Sequence, residues 1–358
     1  MRILLSGYYG FGNLGDEALL EIIVAELRTR FPLAEIDVLS AQPEATAHAL
    51  GVLATQRADL AQVRRAVDRA DVVLSGGGGL LQNATSLKSL LYYAGIIRSA
   101  IRAGKKTMIF AQSIGPLDFI GKQTVRECCR GLSAATVRDE RSRELLQELV
   151  SGIRVERTAD PVFLYESAPD AEGSERVPDG DALVVVSVRK TPHFETLALR
   201  LAAAVDRLGV RHGARVAFVA LGGQADAEAA TTVIRKCRSH PMLLPVEGLG
   251  PTAKVLERAQ LVIGVRLHAL ILAARFAVPF LAVPYDPKVT GLCDDLAYPL
   301  PPLWQPSDRS GSREDSAALV DRAWTERAAL RAWLAPAAER MRGLAERNFA
   351  ALEELARA

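Results

Sequence analysis

The sequence predicts an α/β protein made of two parallel-sheet domains, and three observations carry that prediction. Short apolar runs of strand length alternate with longer runs of helical period over most of the chain. At 358 residues the chain is too long for one comfortable hydrophobic core. A polar stretch with proline and glycine and no period, Glu166–Asp181, separates two series of these alternations.

The first series opens with RILLS (Arg2–Ser6). It continues with EIDVLS (Glu35–Ser40), DVVLS (Asp71–Ser75), KTMIFAQ (Lys106–Gln112) and AATVRD (Ala134–Asp139). Between the first two, DEALLEIIVAELRTRF places Leu19, Leu20, Ile23, Val24 and Leu27 on one helical face. Ser86–Gly104 and Ser142–Val150 follow the same period. The second series comprises ALVVVSV (Ala182–Val188), RVAFVAL (Arg215–Leu221), QLVIGV (Gln260–Val265) and PFLAVPY (Pro279–Tyr285). From about Glu314 to Ala358 the pattern is helical, with a break expected at Pro336. The predicted divisions are residues 1–168, residues 181–312, and terminal helices over 313–358 that cross back toward the first domain. Two Rossmann-like domains joined by one linker form a GT-B-like architecture, with parallel sheets facing an interdomain cleft that takes the substrates.

Composition narrows the function classes. Hydrophobic content of 49% and charged content of 24% describe an ordinary globular protein, and a net charge of +2 gives no footprint for nucleic acid. MRILLSGYYG reads as strand and turn, not as a signal peptide. The most apolar stretch, Leu270–Val283, is interrupted by Arg275 and Pro279 and is too short to span a bilayer. Cys128, Cys129, Cys237 and Cys293 lack metal or redox spacing and read as buried free thiols of a cytoplasmic protein.

Residues 7–17, GYYGFGNLGDE, contain a literal G-x-G-x-x-G at Gly10, Gly12 and Gly15. Two features argue against a dinucleotide. Gly10 lies four residues beyond the expected strand end, a longer loop than the fingerprint uses. Asp16 and Glu17 sit at the helix start, where a pyrophosphate needs the positive end of the dipole and its free N–H groups. In addition, Glu35–Ser40 is followed by AQPE, with no acidic residue at the strand's tip to hold a ribose.

In open α/β sheets ligands bind beyond the carboxyl ends of strands, so the residues just after each run are the candidates. GGGGLLQN (Gly76–Asn83) lets backbone approach a ligand closely, with Gly77 and Gly78 presenting N–H groups. RLHALILAARF puts Arg266 at a strand tip and Leu267 and His268 in the first helical turn. A guanidinium beside a helix N-terminus binds carboxylate or phosphate, and a neighbouring imidazole can act as an acid. Arg138, Arg189 and Lys288 follow other strands and would add charge around the same cleft.

The stretches GYYGFGNLGDEALL, GGGGLLQN, TSLKSLLYY, AQSIGPL, TVRDERS, ADPVFLY, GVRLHALILAA and VPYDPKVTG run in order from residue 7 to residue 291. Together they resemble the bacterial polysaccharide pyruvyl transferases of the CsaB type. Asn83 stands where that family usually carries Asp, and Ser113 where Gly is common. The resemblance implies transfer of the enolpyruvyl unit of phosphoenolpyruvate to a sugar as a cyclic ketal. It also implies an N-acetylmannosamine residue of a lipid-linked cell-wall polymer precursor as acceptor, and surface-layer anchoring downstream. Arg266, with Arg138 or Arg189, would hold the donor's carboxylate and phosphate. Lys288 would neutralise the leaving phosphate, and His268 would protonate C3. Asp16 would orient or deprotonate an acceptor hydroxyl, with Asn13 and Gln82 binding acceptor oxygens. No cofactor and no metal are expected, and a lipid-linked acceptor would bring the chain to the inner membrane leaflet. A GT-B glycosyltransferase using a nucleotide sugar is the nearest alternative, and a non-catalytic sugar-binding protein the next.

Overall fold

The computed structural model describes residues 1–167, 182–304 and 313–358. Most of the expected linker, residues 168–181, lies outside the described residues. The chain divides into two compact units, one of Met1–Leu164 with Met341–Ala358 and one of Tyr165–Arg340.

Unit 1 holds strands β1 (Arg2–Tyr9), β2 (Glu35–Ser40), β3 (Leu53–Gln56), β4 (Val72–Gly76), β5 (Lys106–Gln112), β6 (Ala134–Val137) and β7 (Val155–Arg157). Helices α1 (Leu14–Arg30), α2 (Pro43–Leu50), α3 (Leu60–Arg69), α4 (Leu87–Arg102), α5 (Phe119–Cys128) and α6 (Glu140–Leu149) alternate with them. The sheet order is β3-β2-β1-β4-β5-β6-β7, with every described pairing parallel. The central strands read as near-continuous apolar runs because helices bury both faces: Ile3, Leu4, Leu5, Val73 and Leu74 are inaccessible to solvent.

Unit 2 repeats the plan with β8 (Leu183–Ser187), β9 (Arg215–Val219), β10 (Met242–Leu243), β11 (Leu261–Gly264) and β12 (Phe280–Ala282). Its helices are α7 (Phe194–Asp206), α8 (Gln224–Ile234), α9 (Leu249–Glu257), α10 (Leu267–Arg275), α11 (Pro287–Asp295) and α12 (Arg313–Thr325), and α13 (Arg327–Arg357) runs on into unit 1. The parallel order is β10-β9-β8-β11-β12.

Three expectations change. Strands β3 (LATQ), β7 (VER) and β10 (ML), of four, three and two residues, are additional to those expected from the sequence. Strand β1 continues past Ser6 to Tyr9 through a shift of register, so Gly10 follows the strand directly. Pro336 lies inside α13 and does not end it. The ring is exposed, while Leu334, Ala337, Ala338 and Met341 on the other side are buried, and that packing offsets the lost N–H bond. The far end of α13 is tied into unit 1 by Asn348, whose amide donates to Ala159 O at 2.9 Å and accepts from Thr158 Oγ1 at 2.7 Å.

Candidate functional site

In each sheet the strand order reverses direction once, and the loops leaving the two strands at that point frame the natural ligand crevice. In unit 1 the point lies between β1 and β4, paired from Ile3 opposite Val72 to Ser6 opposite Ser75. The two glycine-rich loops leave those two strands.

The first loop is already occupied by the protein's own carboxylate. Glu17 Oε1 accepts from the N–H groups of Gly10, Phe11 and Gly12 at 2.9, 3.1 and 3.2 Å. Burial raises the Glu17 carboxyl above its ordinary range, and these three bonds oppose the shift. With the longer β1, loop length no longer weighs against a nucleotide. The carboxylate does, because a phosphate would have to displace Glu17.

Asn13 caps α1 by backbone only, and its amide donates to the Asp16 carboxylate. The second loop crosses that turn. Gly77 and Gly78 have φ of +61° and +76°, and a Cβ at Gly78 would lie 3.0 Å from Asp16 Oδ1. Asn13, Asp16, Gly77 and Gly78 are thus brought together. Gln82 turns away to its own turn, donating to Thr85 Oγ1 at 2.5 Å and accepting from the Thr85 N–H at 3.2 Å. Asn83 accepts from the Asp118 N–H at 3.1 Å, and the Gly121 N–H, followed by the Asn83 amide, holds the Asp118 carboxyl below its ordinary range. An Asp at position 83 would set a second carboxylate against Asp118, which gives the Asn a local reason.

Arg138 is a correction. Its side chain is buried at 7% exposure, ion-paired with Asp160 and donating from Nε to Ser113 Oγ at 2.7 Å. Ser113 in turn donates to Asp139 at 2.8 Å. The charge at this strand tip is consumed inside unit 1 and is not presented to a donor.

In unit 2 the reversal lies between β8 and β11, paired from Val184 opposite Leu261 to Ser187 opposite Gly264. Arg189 follows β8 and Arg266 follows β11. Their side chains run in opposite directions. Arg189 Nη1 donates to Tyr285 Oη at 2.8 Å, beyond β12, with its guanidinium 4.7 Å from the Tyr285 ring centroid. Arg266 donates from Nε and Nη2 to the two Asp226 oxygens, both at 2.7 Å, in the first turn of α8 beyond β9. Each guanidinium therefore crosses the tip of the neighbouring strand.

Sequence reasoning missed Asp226 and Gly222. Asp226 is 2% exposed, and a Cβ at Gly222 would come within 1.9 Å of Arg266 Nη2, so only glycine admits the pair. The signal was the Gly222-Gly223 pair at a strand end, followed by an acid in the first helical turn. Arg266 is also the N-cap of α10 and makes no side-chain cap, so its fork serves Asp226 and not the helix. His268, half-buried, is the second residue of α10, two positions after Arg266 at the same strand tip. Lys288 sits in the first turn of α11 and not in a loop, its N–H donating to the N-cap Asp286 at 2.9 Å.

Among the described residues no cluster of three or more His, Cys, Asp or Glu side chains could hold a metal. The four cysteines are free, and burial pushes the Cys129, Cys237 and Cys293 thiols up to about 12. No described helix is long and apolar enough to cross a membrane.

The fold is similar to several solved structures. UDP-GlcNAc 2-epimerase from Neisseria meningitidis, bound to UDP-GlcNAc, superposes with a TM-score of 0.62 at 9% identity, covering 100% of both chains. Anabaena Alr3699/HepE in complex with UDP-glucose gives 0.61 at 12% identity, covering 100% of this chain and 98% of that one. A glycosyltransferase from Rickettsia africae gives 0.61 at 10% identity, covering 99% and 98%. At these identities the likeness establishes the GT-B-type fold alone. No curated protein sequence matches the chain. The sequence profile of one family matches residues 13–287, about three quarters of the length, and on that match the chain belongs to the polysaccharide pyruvyl transferase family.

Proposed function

We propose that the protein transfers the enolpyruvyl unit of phosphoenolpyruvate to two hydroxyls of a sugar, closing a pyruvate ketal and releasing phosphate. The observation that carries this reading is Arg266-Leu267-His268 at the reversal point of unit 2, with the guanidinium held by a buried carboxylate and the histidine in the first turn of the helix that Arg266 caps. Asp226 takes Nε–H and one Nη2–H, which leaves the Nη1 edge of Arg266 for an oxyanion. Arg189, Lys288 and the start of α10 supply the remaining positive character for a small, highly charged donor.

In the proposed sequence His268 gives a proton to C3 of the enol as positive charge develops at C2. One acceptor hydroxyl adds at C2 and loses its proton. The second hydroxyl then displaces phosphate, which leaves with that proton, so the net change is one ketal and one phosphate. In unit 1 Asp16, set by Asn13 and the Gly77–Gly78 turn, orients an acceptor hydroxyl. An N-acetylmannosamine residue on a lipid-linked precursor is the proposed acceptor. A lipid carrier would bring the protein to the inner leaflet as a peripheral, cytoplasmic enzyme, and surface-layer anchoring would follow downstream.

A nucleotide-sugar glycosyltransferase is the second reading, because proteins of this fold have been solved with UDP-glucose and UDP-GlcNAc. Thermal unfolding separates the two. Phosphoenolpyruvate at a hundred times its dissociation constant should stabilise the protein by roughly 2.7 kcal/mol, while NAD, UDP and other nucleoside diphosphates leave the melting temperature unchanged. Stabilisation by a nucleoside diphosphate, and none by phosphoenolpyruvate, would favour the glycosyltransferase.

A further inference from the structure

Tyr8 and Phe11 stand at the carboxyl end of β1, 40% and 46% exposed. Their rings stack with centroids 4.1 Å apart and planes 13° apart. A ring that close fills one face of Phe11, so the Arg57 guanidinium, 4.7 Å from the Phe11 centroid, covers the other. Arg57 also lies 4.7 Å from the ring of Tyr92 and 5.3 Å from that of Tyr93. It donates from Nη2 to Tyr93 Oη at 3.1 Å, and Tyr92 Oη donates to its carbonyl at 2.9 Å. Tyr93 is buried in the core and donates to Gly7 O at 3.3 Å. The result is a column of two stacked rings on one guanidinium and two further tyrosines, anchored at one end and ending at the outer face of Tyr8.

We infer that this face is a stacking platform for a neutral pyranose ring of the acceptor, an inference that rests on the acceptor role proposed for unit 1. A tyrosine held flat by a column has little freedom left to lose on binding, and it presents a broad apolar face to the C–H side of a sugar. The surroundings select against an anion. The loop N–H groups are filled by Glu17, and Asp16 stands next to it in the same first turn of α1. A nucleobase could stack equally well, but its phosphates would meet those two carboxylates. A hydroxyl-rich neutral ring would find acceptors there instead. Arg57 Nη1 is buried with no hydrogen-bond acceptor among the described residues, so the guanidinium is held in the column by the rings and by its bond to Tyr93.

The test uses the full-length protein and a neutral disaccharide containing an N-acetylhexosamine, with saturation-transfer NMR for contact and titration for affinity. Tyr8→Ala should weaken disaccharide binding tenfold or more and raise the acceptor KM in proportion. Its melting temperature and phosphoenolpyruvate affinity should stay at the wild-type values, and Tyr8→Phe should retain disaccharide binding. Wild-type disaccharide affinity in Tyr8→Ala overturns the platform, as does a Tyr8-dependent site that binds UDP or anionic lipid vesicles in preference to the disaccharide. Turnover of phosphoenolpyruvate with an unchanged acceptor KM in Tyr8→Ala would remove the platform and leave the transferase reading intact. Tyr8-dependent disaccharide binding in a protein that never releases phosphate from phosphoenolpyruvate would keep the platform and remove that reading.

Discussion

His268→Ala should lower turnover by roughly 10²- to 10⁴-fold, the scale expected when a general acid is removed. Attack at C2 requires that C3 be protonated at the same time or earlier, because the cation at C2 has no lifetime of its own. The imidazole is placed for that role by position: His268 is the second residue of α10, two positions after the arginine assigned to the donor's anionic groups. Donor affinity should fall far less, since Arg266 and Arg189 remain. A histidine that merely contacted a donor oxygen would give the opposite split, with affinity lost and turnover at saturation preserved. Steady-state kinetics of His268→Ala and His268→Gln separate the two, and near-normal turnover at saturating donor would take the acid's role from His268.

Asp226→Ala should destabilise unit 2 by about 3–5 kcal/mol, the usual cost of leaving one member of a buried ion pair without its partner. For a unit of this size that corresponds to a fall in melting temperature of roughly 10 °C. The reason is geometric. Arg266 gives two N–H bonds to Asp226, which is 2% exposed, and Gly222 leaves no room for a side chain against the pair. Donor affinity should fall as well, because the free guanidinium would no longer be aimed. Arg266→Lys is the complementary change. It keeps the charge but cannot reproduce the fork, and donor affinity should drop about tenfold or more, about 1.4 kcal/mol. Calorimetric unfolding and phosphoenolpyruvate titration of both variants check the pair. An Asp226→Ala protein with wild-type stability and donor affinity would show that the pair is incidental.

The parallel-sheet plan was legible because its central strands are unbroken Val, Ile and Leu runs. The edge strands β3, β7 and β10 were not, since LATQ and VER mix polar with apolar residues and ML is only two residues long. Charged residues at strand tips were equally visible, but their partners were not. Arg138 and Arg266 look alike in sequence, each directly after a strand. One is consumed by Asp160 and Ser113 inside unit 1, the other is braced by Asp226, forty residues away in sequence. Long-range ion pairs leave no periodic trace, so a cation's availability has to be read from the fold. Glu17 is the opposite case. Its place in the first turn of α1 was enough to set it against a phosphate, and the structure puts its carboxylate on the three N–H groups a phosphate would need.

Phosphate release tests most directly whether phosphoenolpyruvate is the donor. Wild-type protein would be given phosphoenolpyruvate and a lipid-linked disaccharide carrying N-acetylmannosamine, with free phosphate and product mass followed together. One phosphate is expected per pyruvate ketal formed, none without acceptor, and both signals should be lost in His268→Ala. No phosphate from phosphoenolpyruvate, with turnover of a nucleotide sugar on the same acceptor, would contradict it.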